Sequence, residues 1–507
     1  MPTMKMLKVC FIVASVVPLV VANLHAQSIE PAAVNHREFK TKSVEKPGST
    51  IPALLISDIH FEPFWDPAKV EELVAAPVNQ WHAILSSPPS SDQQERFKSL
   101  QQSCHTRGAD TSFTLLQSSL HAMQSGAGDA KFITVSGDLI SHAFSCKFTA
   151  LFPKSSPGDY RAFVVKTLDY ILAELRATFP GTPVYSALGN NDSDCGDYKL
   201  DGQSAFLASL AGTVTEGFPA SELKEAERTF ASGGYYSVSP PAPILHTRLI
   251  VLEDLFMSRN YTTCAGKHDP SAAIAEIEWL KQQLLNARNN KEHIWVMGHI
   301  PPGIDPYSTA LKMRNICAGQ APEMFLSSEA LSDTLVDFSD VVQLAIFAHT
   351  HMDEMRLLRP DSNSIQQTSQ KSIAVKMVPS ISPIDGNNPS FTVVRLDPVS
   401  ATLKDYKVIA ASNQTGVEAS WSEEYDFAHT FHQGEYSSAT LHTLVDGFRA
   451  DPGALTPASQ GYIRDYFVGN RSLELTAFWP GYSCAISNHT AESYQKCVCA
   501  DTSSTPR

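Results

Sequence analysis

Six short apolar runs, ALLIS, FITVS, VYSAL, RLIVLE, HIWVM and QLAIF, lie between residues 53 and 347, and each leads into a polar loop. Runs of this length, rich in β-branched and large apolar residues, predict strands. Between them Val164, Leu168, Ile171, Leu172, Leu175 and Phe179 recur at helical spacing, as do Ile277, Leu280 and Leu284. Both stripes are expected to face a core, and the alternation implies an α/β class. The loops constrain the chain further. Asp58, His60, Asp138, Asn190, His299, His349 and His351 stand at the predicted strand ends, in the runs ISDIH, VSGDL, ALGNND, MGHIPPG and FAHTH.

Carboxylate, amide oxygen and neutral imidazole together suit divalent zinc, manganese or iron better than calcium or a thiolate cluster. Seven such groups in this order read as a binuclear metal hydrolase, with one carboxylate bridging. Two ions about 3.5–4 Å apart bind a phosphoryl oxygen, lower the pKa of a shared water and stabilise the leaving oxygen. His299 precedes IPPG, and His349 and His351 flank Thr350, so alternate residues of one extended segment can aim at different ions. Taken singly, each histidine would more often be a core or surface residue, and Asn190 a turn residue, because Gly-Asn-Asn-Asp is strong turn chemistry.

At 507 residues, 43% hydrophobic and 18% charged, the chain is long enough to bury a large core. Lys5 and Lys8, the apolar run from Val9 to Ala22, and Leu24-His25-Ala26 before Gln27 form a signal-peptide pattern, with cleavage expected near Ala26. The run is shorter than the roughly 20 residues a spanning helix needs, so no transmembrane anchor is expected. The destination is outside the cell or the periplasm, or a lysosome in a eukaryote. Losing the leader makes the formal charge of -14 more negative still, which argues against binding a nucleic-acid duplex. Removal of Cys10 leaves Cys104, Cys146, Cys195, Cys264, Cys317, Cys484, Cys497 and Cys499. An even set in an exported chain favours disulfides; Cys264 with Cys317 and a local bridge among Cys484, Cys497 and Cys499 are the expected pairings. Residues 27–50 read as an exposed lead-in, 51–420 as the catalytic domain, and 421–507 as a small helical, cysteine-bearing appendage. A long insertion from Phe61 to Cys104 follows the first strand and could roof the site.

DIH, GD, GNN, GHIPP and HTH in this order resemble the calcineurin-like metallophosphoesterases over roughly residues 51–400. SGDLISH, GHIPPG, IEWLKQQL and SISPIDGNNPSFTVVRLD narrow the resemblance to the acid sphingomyelinase-like phosphodiesterase branch. That resemblance implies a four-layer αββα sandwich, export and zinc dependence. It also implies that Asp58, His60, Asp138 and His351 hold one metal while Asp138, Asn190, His299 and His349 hold the other. Attack on phosphorus by metal-bound hydroxide is the expected chemistry, in line with a leaving alkoxide or phosphate. His142 matches a histidine of this branch and is the candidate proton donor, although a helix-start histidine packed beside the site is an equal reading.

Two positions depart from the family pattern. Asn191 stands where most members place a histidine near the phosphoryl group, and an amide offers no titratable proton. Either His142 carries the transfer alone, or the leaving group is good enough to need less help, as in a phosphoanhydride; GNND also resembles the endopolyphosphatase branch. Ala348 replaces a usual glycine before His349. These changes leave room for a metal-binding protein that recognises a phosphorylated ligand without turnover. Acid sphingomyelinase itself carries a saposin domain, whereas only residues 27–50 separate the leader from the first strand, so a small soluble phosphorylated substrate is expected over membrane sphingomyelin. Phe61, Phe64 and Trp65 could stack a base, but packing is the preferred reading. Sequons begin at Asn260, Asn413, Asn470 and Asn488, and formally at Asn191. A monomer is expected.

Overall fold

β1 (Ile51–Ile56) is buried along its whole length, as an apolar strand must be when covered on both faces. The computed structural model describes residues 50–360 and 371–502. The expected leader at 1–26, and all of the expected lead-in except Thr50, lie outside the described residues. β1 pairs in parallel with β2 (Ile133–Ser136) and antiparallel with β10 (Ser390–Leu396). With β3 (Val184–Ala187), β11 (Leu403–Ala411) and β12 (Trp421–Asp426) they form a six-stranded sheet in the order β12-β11-β10-β1-β2-β3. A second six-stranded sheet has the order β4-β5-β6-β7-β9-β8, from β4 (Tyr236–Val238), β5 (Thr247–Val251), β6 (His293–Met297), β7 (Val342–Phe347), β8 (Met355–Leu358) and β9 (Ile373–Met377). All six apolar runs of the sequence are therefore strands.

The sheets face one another. Phe132 stacks on Trp295 across the interface with ring centroids 5.5 Å apart, and the Tyr236 hydroxyl donates to the Ser186 carbonyl at 3.1 Å. Helix Phe113–Ala127 covers β1 and β10 on one outer face, while helices Ser271–Asn290 and Ser438–Arg449 cover β6, β8 and β9 on the other. Helix, sheet, sheet, helix is the layered α/β arrangement expected.

The stripe from Val164 to Leu175 lies on helix Pro157–Thr178, whose N-terminus carries a capping box between Ser156 and Asp159 and a proline in its first turn. The insertion after β1 folds into short helices and packs here: Trp81 sits against Phe163 and Tyr170 with ring centroids 5.5 and 5.6 Å away. Phe61 and Phe64 are fully buried and are packing residues, whereas Trp65 leans on Phe97 but is 37% exposed.

Four disulfides are formed, Cys104–Cys146, Cys195–Cys264, Cys317–Cys499 and Cys484–Cys497. The expected Cys264–Cys317 pairing is wrong. Cys195 in the loop after β3 reaches Cys264, and Cys317 is taken by the last helix, so only Cys484–Cys497 is the local bridge anticipated. No described helix is long and apolar enough to cross a membrane. The strand β12 begins where the helical appendage was expected to start, and it completes the first sheet as its edge, with Ser422, Glu423 and Glu424 turned to solvent. Helices follow from Phe427 to Thr502.

Ile171 is fully buried while Ile274, on helix Ser271–Asn290, is 55% exposed. Ile171→Ala should cost about 2–5 kcal/mol and Ile274→Ala within about 0.5 kcal/mol, read from urea midpoints of the two variants against the parent.

Candidate metal centre

The carboxyl ends of the parallel strands of both sheets point to one place, and the loops leaving them carry all seven candidate ligands. Asp58 and His60 follow β1, Asp138 follows β2, Asn190 follows β3, His299 follows β6, and His349 and His351 follow β7. Turning each strand end sharply enough puts five of these residues in the left-handed region, at φ 46, 45, 53, 74 and 63 for Asp58, His60, Asp138, His349 and His351. Non-glycine residues held there cost backbone energy that the surrounding structure must supply, and such positions gather at functional sites. Ala348 is not among them, so its methyl forfeits no glycine conformation.

Asp138 is central. Its Oδ2 lies 3.5 Å from His60 Nε2 and 3.3 Å from His299 Nε2. The Asn191 backbone N–H donates to Asp138 Oδ1 at 2.8 Å and the Asn191 side-chain amide to Oδ2 at 2.9 Å. Both bonds aim Asn191 at the Asp138 carboxylate. Its sequon is buried with it. Asn190 donates its amide to Asp197 at 2.8 Å, which turns its oxygen toward His299 Nε2, 3.1 Å away.

The donor set fits cations. His60 Nδ1 bonds the Ile140 carbonyl at 3.0 Å and His299 Nδ1 the Ser136 carbonyl at 2.7 Å. A carbonyl only accepts, so each Nδ1 carries a proton, and each ring, when neutral, presents a lone pair at Nε2. Those lone pairs meet other acceptors: His60 Nε2 is 3.1 Å from His351 Nε2, and His299 Nε2 is 3.3 Å from His349 Nδ1. Both oxygens of Asp58 are buried without a hydrogen bond, 3.5 Å from His351 Nε2 at the closest. Acceptors converging on acceptors in a buried place call for positive charge between them. Burial, then neighbouring imidazoles, lowers His60 to about 4 and His349 and His351 to about 3, so these rings are neutral ligands at ordinary pH. Burial would lower His299 too, but the Asp138 charge overrides it and raises it to about 10.

His142 lies beside this centre. Its ring stacks on His60 with centroids 4.0 Å apart, its Nδ1 is 3.0 Å from Asp110 Oδ1, and its backbone N–H donates to Asp110 Oδ2 at 2.9 Å. Burial lowers His142, but the Asp110 charge and hydrogen bond raise it to about 9.

The calcineurin-like phosphoesterase family matches residues 51–353, which spans every ligand loop. The chain is a calcineurin-like phosphoesterase. Among curated relatives, mouse acid sphingomyelinase-like phosphodiesterase 3b is 25% identical over 459 residues, covering 87% of this chain and 89% of its own. Mouse cyclic GMP-AMP phosphodiesterase SMPDL3A is 25% identical over 408 residues, covering 77% and 82%. A solved dimetal phosphatase from Danio rerio aligns over 75% of this chain and 100% of its own at 12% identity, with a TM-score of 0.37. The family implies divalent metal ions, and the chain is similar to phosphodiesterases of the acid sphingomyelinase-like branch.

Several residues that build the centre escaped sequence reasoning. Asp192 accepts from the backbone N–H groups of Leu139, Ile140 and Gly189 at 2.8, 3.0 and 2.9 Å, tying the Asp138 and Asn190 loops together. Asp254 does the same for the His299 loop, accepting from His299 and Ile300 at 2.8 and 2.9 Å. Asp110 holds His142. A signal existed for Asp254, which follows RLIVLE at the same strand-end position the ligands occupy, and for Asp192, which closes the GNND turn. Behind them Glu253 and Glu276 are buried, and burial first, with the neighbouring acids adding to it, holds both well above the ordinary carboxylate range.

Asp192→Asn replaces one acceptor by an amide facing N–H donors, so zinc affinity should fall about 10- to 100-fold in a chelator-competition titration. The raised Glu276 carboxyl binds its proton more tightly folded than unfolded. Its stabilising effect is whole below the ordinary value of 4.5 and is lost as pH rises from there toward the folded value. Glu276→Gln should therefore lose less stability than the parent between about pH 5 and about pH 8, measured as the shift in urea midpoint.

Proposed function

We propose that this phosphoesterase is an exported hydrolase that cleaves a phosphodiester or phosphoanhydride bond in a small phosphorylated substrate, using two divalent ions. The observation that carries this reading is the convergence of bare imidazole nitrogens, the Asn190 oxygen and the Asp58 and Asp138 carboxylates on one buried spot. Asp58, His60 and His351 would serve one ion, Asn190, His299 and His349 the other, and Asp138 both. Close groupings of Asp58, His60 and Asp138, and of Asp138, His299 and His349, support that division. Four imidazoles in the set favour zinc over magnesium or calcium. All eight cysteines beyond the leader are paired in disulfides, which supports export.

Bound ions would supply Lewis acidity and a nucleophile at neutral pH. The chain's own residues do the rest. Asn191 fixes Asp138 between the two ligand groups with two donated bonds. Asp110 fixes the His142 ring, whose Nδ1 and backbone N–H it engages, so the other ring nitrogen is left to give a proton to the departing oxygen. Asp192 and Asp254 hold the loops that aim Asp138, Asn190 and His299.

The test is turnover of the purified zinc-loaded chain on bis-nitrophenyl phosphate, ATP, polyphosphate and sphingomyelin micelles, each with a chelated control. Chelator-sensitive cleavage is expected; Asp138→Asn should abolish it, and His142→Ala should lower kcat about 10²- to 10⁴-fold. Two bound metals with no turnover on any substrate would replace this reading by a binding protein for phosphorylated ligands, and a preference for micelles would move the substrate to lipid.

A further inference from the structure

The loop that leaves β3 doubles back on its own ligand. Asn190 donates its side-chain amide to Asp197 at 2.8 Å, and its backbone carbonyl accepts from the Tyr198 N–H at 3.0 Å. The Tyr198 hydroxyl then reaches the ligand loop of the other sheet, where it meets His349 Nε2 at 3.2 Å. Tyr198 holds this place at φ 55, a left-handed conformation that is costly for a bulky residue and persists only where its surroundings enforce it. Those surroundings are residues 261–264. Thr262 donates to the Tyr198 carbonyl at 3.0 Å and accepts from the Leu200 N–H at 3.3 Å. The Tyr261 hydroxyl donates to the Leu200 carbonyl at 3.0 Å, and the Cys195–Cys264 disulfide ties the two stretches covalently.

What the two side chains do follows from their partners. The Asn190 amide can serve a cation only through its oxygen, and the Asp197 carboxylate, a pure acceptor, fixes the other end of that amide. His349 Nδ1 faces His299 Nε2 at 3.3 Å, within the grouping that includes Asp138. A ligand lone pair is therefore needed at Nδ1 and the ring proton at Nε2, where the Tyr198 oxygen is placed to accept it. The other ligand imidazoles are held differently. Nδ1 of His60 and of His299 rests on a main-chain carbonyl, and His351 Nδ1 lies 3.2 Å from the half-exposed Asp385. Asp197 and Tyr198 thus bear on Asn190 and His349, two of the three ligands that belong to the second ion alone.

Resting on the two-ion reading above, we propose that Asp197 and Tyr198 are positioning residues for the ion served by Asn190, His299 and His349, and that they set the affinity of that ion alone. Neither residue is a ligand. Asp197 turns the Asn190 oxygen inward, Tyr198 holds the His349 tautomer, and the strap to residues 261–264 keeps both in reach. The two ions then differ in what holds them, and only the second depends on the loop after β3 reaching across to the opposite sheet.

Zinc is the probe, and the readout is a two-step chelator-competition titration of the purified chain. Tyr198→Phe keeps the ring and removes only the hydroxyl, so it should weaken one of the two steps about 10- to 100-fold and leave the other unchanged. Asp197→Ala should weaken the same step. Asp197→Asn should restore it, because its amide oxygen still accepts from Asn190. Tyr261→Phe removes one of several straps on the same loop and no ligand contact, so both steps should stay near their parent values. Double variants locate the effect. In a His351→Ala background Tyr198→Phe should keep its full effect, and in a His349→Ala background it should add nothing. Equal weakening of both steps or of neither by Tyr198→Phe, an equal loss in Tyr261→Phe, no rescue by Asp197→Asn, or an undiminished effect after His349→Ala would each overturn the positioning role, and turnover by the same protein would leave the hydrolase standing. The expected zinc pattern with no turnover on any substrate would uphold the positioning role and overturn the hydrolase. A parent chain that binds fewer than two zinc ions would overturn both.

Discussion

The Asp138 carboxylate is the point on which the rest of the centre turns. It faces imidazole Nε2 atoms from both sheets, His60 from the first and His299 from the second, and burial would expel its charge were it not for donated hydrogen bonds and nearby positive charge. Space around it is correspondingly tight. A β-carbon on Gly189 would lie 2.1 Å from Asp138 Oδ1, and one on Gly137, itself at φ 87, would lie 2.8 Å from His299 Nδ1. The glycines of the GD and GN pairs are there because two loops and a histidine from the opposite sheet must approach within van der Waals contact of one carboxylate.

Around that contact the protein has arranged buried acids as clamps for backbone N–H groups. Asp192 and Asp254 each span a loop, and the loops they span are those that carry Asp138, Asn190 and His299. Burial comes first in raising both to about 7, with the Asp138 charge adding to it, while the accepted N–H bonds work the other way. The geometry of the ligands thus depends on a shell of carboxylates that a description confined to the ligands would omit.

How much of this was legible in the sequence follows from the range of each interaction. Strands and the long helices announce themselves by local periodicity, and the ligand residues announce themselves because each sits directly after an apolar run. Asp110 carries no such mark, and the positions of Asp192 and Asp254 at a turn and a strand end do not reveal what they hold, since their partners include backbone groups of other loops. The disulfide partners of Cys264 and Cys317 were misread for the same reason: proximity in sequence says little about which loop lies across the fold. β12 was hidden because a half-exposed edge strand such as WSEEYD has too few apolar residues to stand out.

The pairing of β1 with β10 has a consequence for how the chain can be divided. The family match ends at residue 353, and every candidate ligand is already present there. Yet β1, from which Asp58 and His60 emerge, takes its antiparallel neighbour from residues Ser390–Leu396. A chain shortened to the matched region would keep all seven side chains and lose the strand that fixes two of them, leaving a buried apolar edge with open N–H and C=O groups. The outer strands of the first sheet, β10 to β12, are thus structural dependents of the centre although they carry none of its ligands, and catalytic content and folding content have different boundaries in this protein.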